Sequence, residues 1–343
     1  MSKRIQSSNS RVTLADVAAE AGVSVQTVSH VLSDTASVRL PESTRQRVVL
    51  AAEKVGYRPN RIAQAMKSGR SNVVAVWMSL DRVTANHLRA LRAITTRAEA
   101  AGYNVMITAL DNPRAHGAEP ITRLPDWPVD GVFAVDAGPA IAAFRADKSN
   151  LSTPVVVMGT ELYENGDAVG FDVYDAAKSA TLDLIKNGCR EVAHVTLKWV
   201  VQVYPEERRH TGYLAAMKEA GLQPLVIEIE EETRLSTASA LSSFLDEHRL
   251  PEGIVAFSDG LAINVARVAF GAGYRIPDDC RIWGYGNLPE SEDYRVPIST
   301  VQIPVEQIVN QSWTWLMERI ENGSLPSRSI EFPMELIERE SSR

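Results

Sequence analysis

Side chains capable of covalent or metal chemistry are few and scattered in this sequence. The six histidines, at 30, 87, 116, 194, 210 and 248, form no pair at ligand spacing. Cys189 and Cys280 lie 91 positions apart and make neither a CxxC pair nor a disulfide framework. The GxSxG, HExxH and Walker A patterns do not occur, and Gly271-Ala272-Gly273 closes a helical stretch instead of following a strand. No metal or cofactor is expected. The chemistry on offer is hydrogen bonding, and it is concentrated near the N-terminus. Val25, Gln26, Ser29, His30 and Ser33 share one face of a helical stretch and are small or hydrogen-bonding residues, not a solvating run of Lys and Glu. A helix needs such side chains to approach base edges in a DNA major groove.

The elements that must position that face are legible. Leu14, Val17, Ala18 and Ala21 recur at helical spacing behind Thr13, which caps with Asp16 three residues on. Gly22 ends this helix by tolerating a left-handed turn. Ser24 then caps a second helix with Val28, Val31 and Leu32 inside. A third follows Pro41, with Val48, Ala52 and Val55 as its inner face. Two short helices joined through a Gly turn form a helix-turn-helix unit. A generic three-helix bundle has the same spacing.

Charge separates this segment from the rest. Residues 1–70 hold 11 Lys and Arg against 5 Asp and Glu, and residues 71–343 hold 25 against 38. The net of −7 is thus a head of +6 on a body of −13, as expected for a nucleic-acid-binding head on a solvated ligand domain. The length of 343 residues suits two domains, and 45% hydrophobic with 23% charged residues suits a globular chain. No apolar run approaches the ~18–20 residues of a membrane span. The polar start, MSKRIQSSNS, has no apolar stretch behind it, so a cytoplasmic protein without a membrane partner is expected.

The run VTLADVAAEAGVSVQTVSHVL, followed by TRQRVVLAAEKVGYRPNRIAQAMKSG, resembles the DNA-binding head of the lac-repressor (LacI) family of bacterial transcription regulators, over about 55 ungapped residues. The resemblance implies that residues 24–32 are the recognition helix, with Val25, Gln26 and His30 at base-reading positions and Thr27 and Ser29 on phosphates. Gln26 pairs bidentately with adenine and Val25 meets a thymine methyl. His30 stands where Arg is usual, which implies a different readout at that base pair. Residues 58–70 fall on the family's hinge helix. It is too short to be stable alone and folds when two copies meet in the minor groove. Asn60, Ala63 and Met66 are its DNA contacts, Met66 at the wedge position that opens a base step.

From Val73 onward, short β-branched runs alternate with helical stretches. Candidate strands are Val73–Met78, Asn104–Thr108, Gly131–Val135, Pro154–Met158, Glu191–Leu197, Leu225–Ile229, Gly253–Phe257 and Arg281–Tyr285. Candidate helices include Ala85–Ala101, Tyr174–Asn187, Glu206–Ala220 and Leu261–Gly271. Such alternation predicts parallel α/β sheets with ligands at the carboxyl ends of the strands. Eight strands exceed one usual sheet, so two lobes are expected. VDGVFAV, TPVVVMG, RHTGYLAAM and AGYRIPDDCRIWGYGN resemble the same family's periplasmic-binding-protein-like core. The fold expected is therefore an all-α helix-turn-helix head (1–57) with a hinge helix (58–70), joined to a two-lobed α/β effector-binding core (71–343). Lobe one is expected to span 71–172 plus 299–323, and lobe two 173–298 plus 324–343.

In the effector cleft the resemblance implies that Arg209, in RRHTGY, bonds ligand hydroxyls or carboxylates. Elsewhere the sequence departs from the family. Gly286 replaces a sugar-binding Asp, Ser258-Asp259 replaces Asn-Asp, and Asn86-His87 replaces an aromatic. Trp199 and Tyr204 offer an aromatic wall, and a larger ligand would fill the space left at Gly286. The function implied is a homodimeric, sequence-specific repressor of pseudo-palindromic operator DNA, controlled by a small molecule such as a sugar, sugar derivative or similar metabolite. The alternatives are a corepressor-dependent repressor of the same family and an α/β enzyme with an accessory DNA-binding head. A transport binding protein of the same core fold would lack the head. No heptad segment follows Leu336, so a dimer is expected over a tetramer.

Overall fold

The structure is a computed structural model that describes residues 12–32, 40–58, 70–79, 83–110, 129–137, 141, 144, 152–160, 166–203 and 206–343. The chain forms two compact units, residues 1–71 and 72–343.

In the first unit, α1 (Leu14–Ala21), α2 (Val25–Leu32) and α3 (Glu42–Lys54) follow the apolar periodicity of the sequence. Thr13 and Asp16 close the capping box, and Gly22 leaves α1 at φ 66°. Val17, Ala18, Ala21, Val28, Val31, Val48, Ala51 and Ala52 form the core, with Leu14, Leu40, Val55 and Tyr57 packed around it. Small side chains at the crossing points let three short helices approach closely enough to exclude water.

The second unit carries two six-stranded sheets. The first is built from β1 (Val73–Ser79), β2 (Asn104–Leu110), β3 (Gly131–Val135), β4 (Val155–Gly159) and β5 (Asp167–Phe171), with β11 (Ser329–Phe332) on its edge, in the order β11-β5-β4-β3-β1-β2. The second holds β6 (Val192–Leu197), β7 (Leu225–Ile229), β8 (Gly253–Ala256), β9 (Arg281–Tyr285), β10 (Ser299–Gln302) and β12 (Glu335–Ile337), in the order β12-β10-β9-β8-β6-β7. Every pairing is parallel except β10 with β12. Parallel sheets are covered by helices on both faces, which is why strands such as GVFAV and VVVMG are buried at every position.

The helices that matter for the cleft are α4 (Ala85–Ala100) in lobe one and α5 (Val173–Lys186), α6 (Lys198–Val203), α7 (Arg208–Glu219), α8 (Arg234–Glu247) and α9 (Asp259–Gly271) in lobe two. Helix α7 packs closely on α5 because Gly212 faces it: a Cβ there would sit 2.9 Å from that of Ala177. Tyr213 then locks α7 to the sheet, its hydroxyl donating to Val192 O at 2.8 Å and accepting from Leu225 N–H at 2.7 Å.

The crossover points correct the expected lobe boundaries. The first falls at Asp172, as read from sequence. The second was expected at 298, but Ser299–Gln302 pairs with β9 and belongs to lobe two. The chain crosses just after it, so that α10 (Val305–Glu321) packs into lobe one. The third was expected at 324, but Ser329–Phe332 pairs with β5 in lobe one. The return follows it, before Glu335–Ile337 joins β10. Lobe one's last strand is fixed by Asp167, fully buried, which accepts from Arg319 Nε at 2.8 Å and Arg328 Nη2 at 3.0 Å.

Candidate functional site: a DNA-reading helix face and an interlobe cleft

In the head, Ser24 caps α2 by accepting from Thr27 N–H at 3.1 Å, and its hydroxyl meets that of Thr27 at 2.9 Å. With Val28 and Val31 turned into the core, the opposite face carries Val25 and Gln26 exposed and Thr27, Ser29 and His30 half-buried. Val25 is 46% exposed, an apolar side chain held in water at the start of a helix. Asn60, Ala63 and Met66 lie outside the described residues.

In the core, both sheets change direction beside their first strand. β1 lies between β2 and β3, and β6 lies between β7 and β8. Crevices at the carboxyl ends of strands form at such switch points. Lobe one places there the N-terminus of α4 and Asp136 at the end of β3. Lobe two places there α6, the N-terminus of α7 and the ends of β8 and β9.

Arg209 lies over lobe two's sheet, its guanidinium carbon 4.4 Å from the Phe257 ring centre and 5.6 Å from that of Tyr285. Its Nη1 donates to Glu207 Oε1 at 2.8 Å, and Glu207 Oε2 caps α7 by accepting from the N–H groups of Arg209 and His210 at 2.9 and 3.0 Å. Around it lie buried polar atoms with no hydrogen-bond partner in the protein: Arg209 Nε, His210 Nδ1, Thr196 Oγ1, His194 Nε2 and Tyr285 Oη. The His194 and His210 ring centres are 5.7 Å apart. His194 Nδ1–H donates to Val255 O at 3.0 Å, which leaves Nε2 the acceptor. Burial pushes the pKa of His194 down to about 4, and burial lowers that of His210 as well. Burial also raises the Tyr285 phenol, so all three rings stay neutral hydrogen-bonding partners.

The remaining residues expected in the cleft are engaged by the protein itself. Asp259 is fully buried, its carboxylate accepting from Thr300 Oγ1 at 2.5 Å and Leu288 N–H at 2.7 Å, and burial raises its pKa. It pins the loop after β9 and presents no oxygen to a ligand. Ser258 caps α9 by accepting from Leu261 N–H at 3.0 Å and donates to Glu232. Trp199 packs against the apolar cluster of Val195, Leu197, Ile227 and Ile254. Tyr204 lies outside the described residues. His87 has both ring nitrogens in use, Nδ1 accepting from Thr84 N–H at 3.0 Å and Nε2–H donating to Asp136 Oδ2 at 2.9 Å. The space expected at Gly286 is not open: a Cβ there would lie 3.2 Å from Asn86 Nδ2, whose N–H donates to Gly286 O at 2.8 Å. Glu207, Thr196, His210 and Tyr285 were not singled out from sequence. The one available signal was Glu207, an acid at the cap position two residues before an Arg at a helix start.

Among the described residues, no group of three His, Cys, Asp or Glu side chains is arranged to hold a metal, and no helix is long and apolar enough to cross a membrane.

Comparison with known proteins agrees with these two units. The bacterial regulatory proteins, lacI family, match residues 13–60, and a periplasmic binding protein-like domain matches residues 182–342. The ribose operon repressor of Halalkalibacterium halodurans is 26% identical over 335 residues, 96% of this chain and 97% of that protein. The HTH-type transcriptional repressor PurR of Erwinia tasmaniensis is 25% identical over 334 residues, 96% of each chain. The solved lac repressor dimer, bound to operator and the anti-inducer ONPF, shares the fold at a TM-score of 0.79 and 21% identity, covering 97% of this chain and 99% of that one. The chain thus carries a helix-turn-helix head that matches the lacI family of bacterial regulatory proteins, followed in sequence by a core that matches a periplasmic binding protein-like domain.

Proposed function

We propose that the protein is a cytoplasmic transcriptional repressor that binds a pseudo-palindromic operator as a homodimer and is controlled by a small polar metabolite, a sugar or sugar derivative, held between the lobes of its core. The observation that carries the DNA assignment is the face of α2, where Val25 and Gln26 stand exposed opposite a fully apolar inner face. Gln26 supplies a carboxamide for an adenine edge, Val25 a methyl contact, and His30 a single hydrogen bond where the family has a bidentate Arg. Thr27 and Ser29 hold the helix on the phosphates. Asn60, Ala63 and Met66 are assigned to the minor groove at the operator centre.

The effector reading rests on lobe two. Arg209 is neutralised by Glu207 and stacked on Phe257, and the buried polar atoms around it call for hydrogen-bond partners, since such atoms are nearly always satisfied. A polyhydroxylated ligand or ordered water supplies them. Ligand binding that favours one lobe arrangement shifts operator affinity by its differential affinity for the two states, typically ~1–3 kcal/mol.

The test is selection of bound duplexes from a random DNA pool at one fixed salt concentration, because phosphate contacts make affinity steeply salt-dependent. Enrichment of a palindrome with half-sites about one helical turn apart supports the reading. Failure to enrich any sequence, with and without added cell extract, refutes it.

A further inference from the structure

We propose that this core carries a built-in clasp, Asn86 and Arg89 on lobe one gripping the loop after β9 on lobe two, that holds the two lobes closed without a ligand. Asn86 is buried, and its carboxamide N–H donates to Gly286 O across the lobe boundary at 2.8 Å. Arg89 Nη1 lies 3.2 Å from Asn287 O and 3.2 Å from Asn86 Oδ1, so it grips lobe two and fixes the orientation of the Asn86 carboxamide at once. Two donors on lobe one thus meet two consecutive backbone carbonyls on lobe two.

The receiving loop is set in advance. Asn287 has φ 49°, a left-handed conformation held by three contacts of its own and one of its neighbour. Its N–H donates to Thr300 Oγ1 at 3.1 Å, and its side-chain amide donates to Gln302 at 2.7 Å. Its side-chain oxygen accepts from Arg339 at 2.7 Å, and the next residue, Leu288, is pinned by Asp259. Gly286 is at φ 124°, and a Cβ on it would press on Asn86 at 3.2 Å. A small residue with a permissive backbone is therefore required where the grip closes. A loop held this firmly loses little freedom when lobe one closes on it, so the hydrogen bonds act on the lobe equilibrium instead of on ordering the loop.

The same contacts account for two departures seen in the sequence. Asn86 and Gly286 stand where the family resemblance would place an aromatic and a sugar-binding Asp, and each is the other's partner. A bridge that a ligand would make at this corner is made by the protein. An effector then has to work against, or add to, a closure that already exists.

The experiment uses the full chain with one label on each lobe, at Glu99→Cys in α4 and Glu247→Cys in α8, both exposed positions. The native cysteines, Cys189 and Cys280, are buried and stay unlabelled. Pulsed electron-spin distance measurement is made with neither DNA nor effector present, so the result is independent of the regulatory assignment. The wild type should populate mainly the shorter distance. Asn86→Ala should shift the ratio of short to long populations about tenfold toward the longer, on the order expected for one or two lost hydrogen bonds. Asn86→Asp keeps the size and the Arg89 contact but sets an acceptor against Gly286 O, so it should open the lobes at least as far. Its result stands even if Asn86→Ala folds poorly. Identical distributions in the wild type and Asn86→Asp overturn the clasp, as does a ligand-free wild type already at the longer distance.

Discussion

Replacing Asp259 by Ala separates a loop pin from a ligand anchor. The carboxylate accepts from Leu288 N–H at 2.7 Å and Thr300 Oγ1 at 2.5 Å, in a fully buried position. Alanine leaves the Leu288 N–H with no acceptor, a loss of ~1–3 kcal/mol for a buried donor, while the Thr300 hydroxyl is free to rotate. Against this, removal relieves the burial of a charge, the cause of the raised pKa of this group. The balance is a destabilisation of about 2 kcal/mol, which lowers the melting temperature by roughly 4–8 °C in a domain of this size. Asparagine behaves differently. Its oxygen takes the Leu288 N–H and its amide donates to Thr300 Oγ1 once the hydroxyl turns, so the loss at pH 7 should stay under about 1 kcal/mol. Because the folded-state pKa is raised, the stability linked to Asp259 is fully present below the unfolded carboxylate pKa and is lost as pH rises through the folded value. The wild type should therefore gain on Asp259→Asn as pH falls from 7 toward 4. Urea unfolding at pH 7 and pH 4.5 reads both differences. If Asp259→Ala melts with the wild type, the carboxylate is not the pin, and its place among the ligand contacts returns.

His194 adds an acid-sensitive contribution: its pKa near 4 against about 6.5 unfolded means stability present at neutral pH and lost between about pH 6.5 and 4. The loss is roughly 3–4 kcal/mol, and His194→Phe should flatten that limb of the stability profile. Gln26→Ala should relax base preference at one position of each half-site at a loss of ~1–3 kcal/mol, seen as a changed profile in the duplex selection; an unchanged profile removes Gln26 from the reading set. Asp167→Asn breaks a fully buried bridge to Arg319 and Arg328 and should cost about 3–5 kcal/mol in urea unfolding at pH 7. The two arginines hold the Asp167 carboxyl below the usual range even though burial alone would raise it. The gap to the variant should then shrink only as pH falls through that lowered value.

Most of the fold was legible because its signals are local. The head could be read helix by helix, since a cap, an apolar stripe and a Gly stop fall within a few residues of each other. The runs Val74–Met78 and Gly131–Val135 are unbroken apolar stretches buried on both faces. Four strands, Ser299–Gln302 among them, lie outside the candidates read from sequence, and the other three escaped for the opposite reason. Asp167–Phe171 starts with a charged residue and contains a glycine, and Ser329–Phe332 and Glu335–Ile337 are short edge strands of mixed polarity. The first two meet through Asp167 and two arginines more than 150 positions away, and the third pairs with Ser299–Gln302, contacts that no periodicity reports. The lobe boundaries at 298 and 324 failed with them, because a crossover can be placed only when the flanking strands are assigned to a sheet.

The cleft was less legible because residue type does not tell whether a polar side chain is spent or available. Arg209, Asp259, Ser258 and His87 all read as ligand-facing by type, yet three of them are consumed locally, by a loop, a helix cap and a carboxylate. Gly286 read as empty space, and Asn86 fills it from 200 positions away. The groups left unpaired in lobe two, Thr196, His210 and Tyr285, are unremarkable in sequence because each sits in an ordinary strand or helix pattern. What sets them apart is that the sheet order runs β9, β8, β6 and that the start of α7 brings Arg209 over Phe257 and Tyr285 there. A hydrogen-bond deficit is a property of that meeting place. Substitutions there should alter ligand response before they alter stability, whereas substitutions at Asp259 should do the reverse.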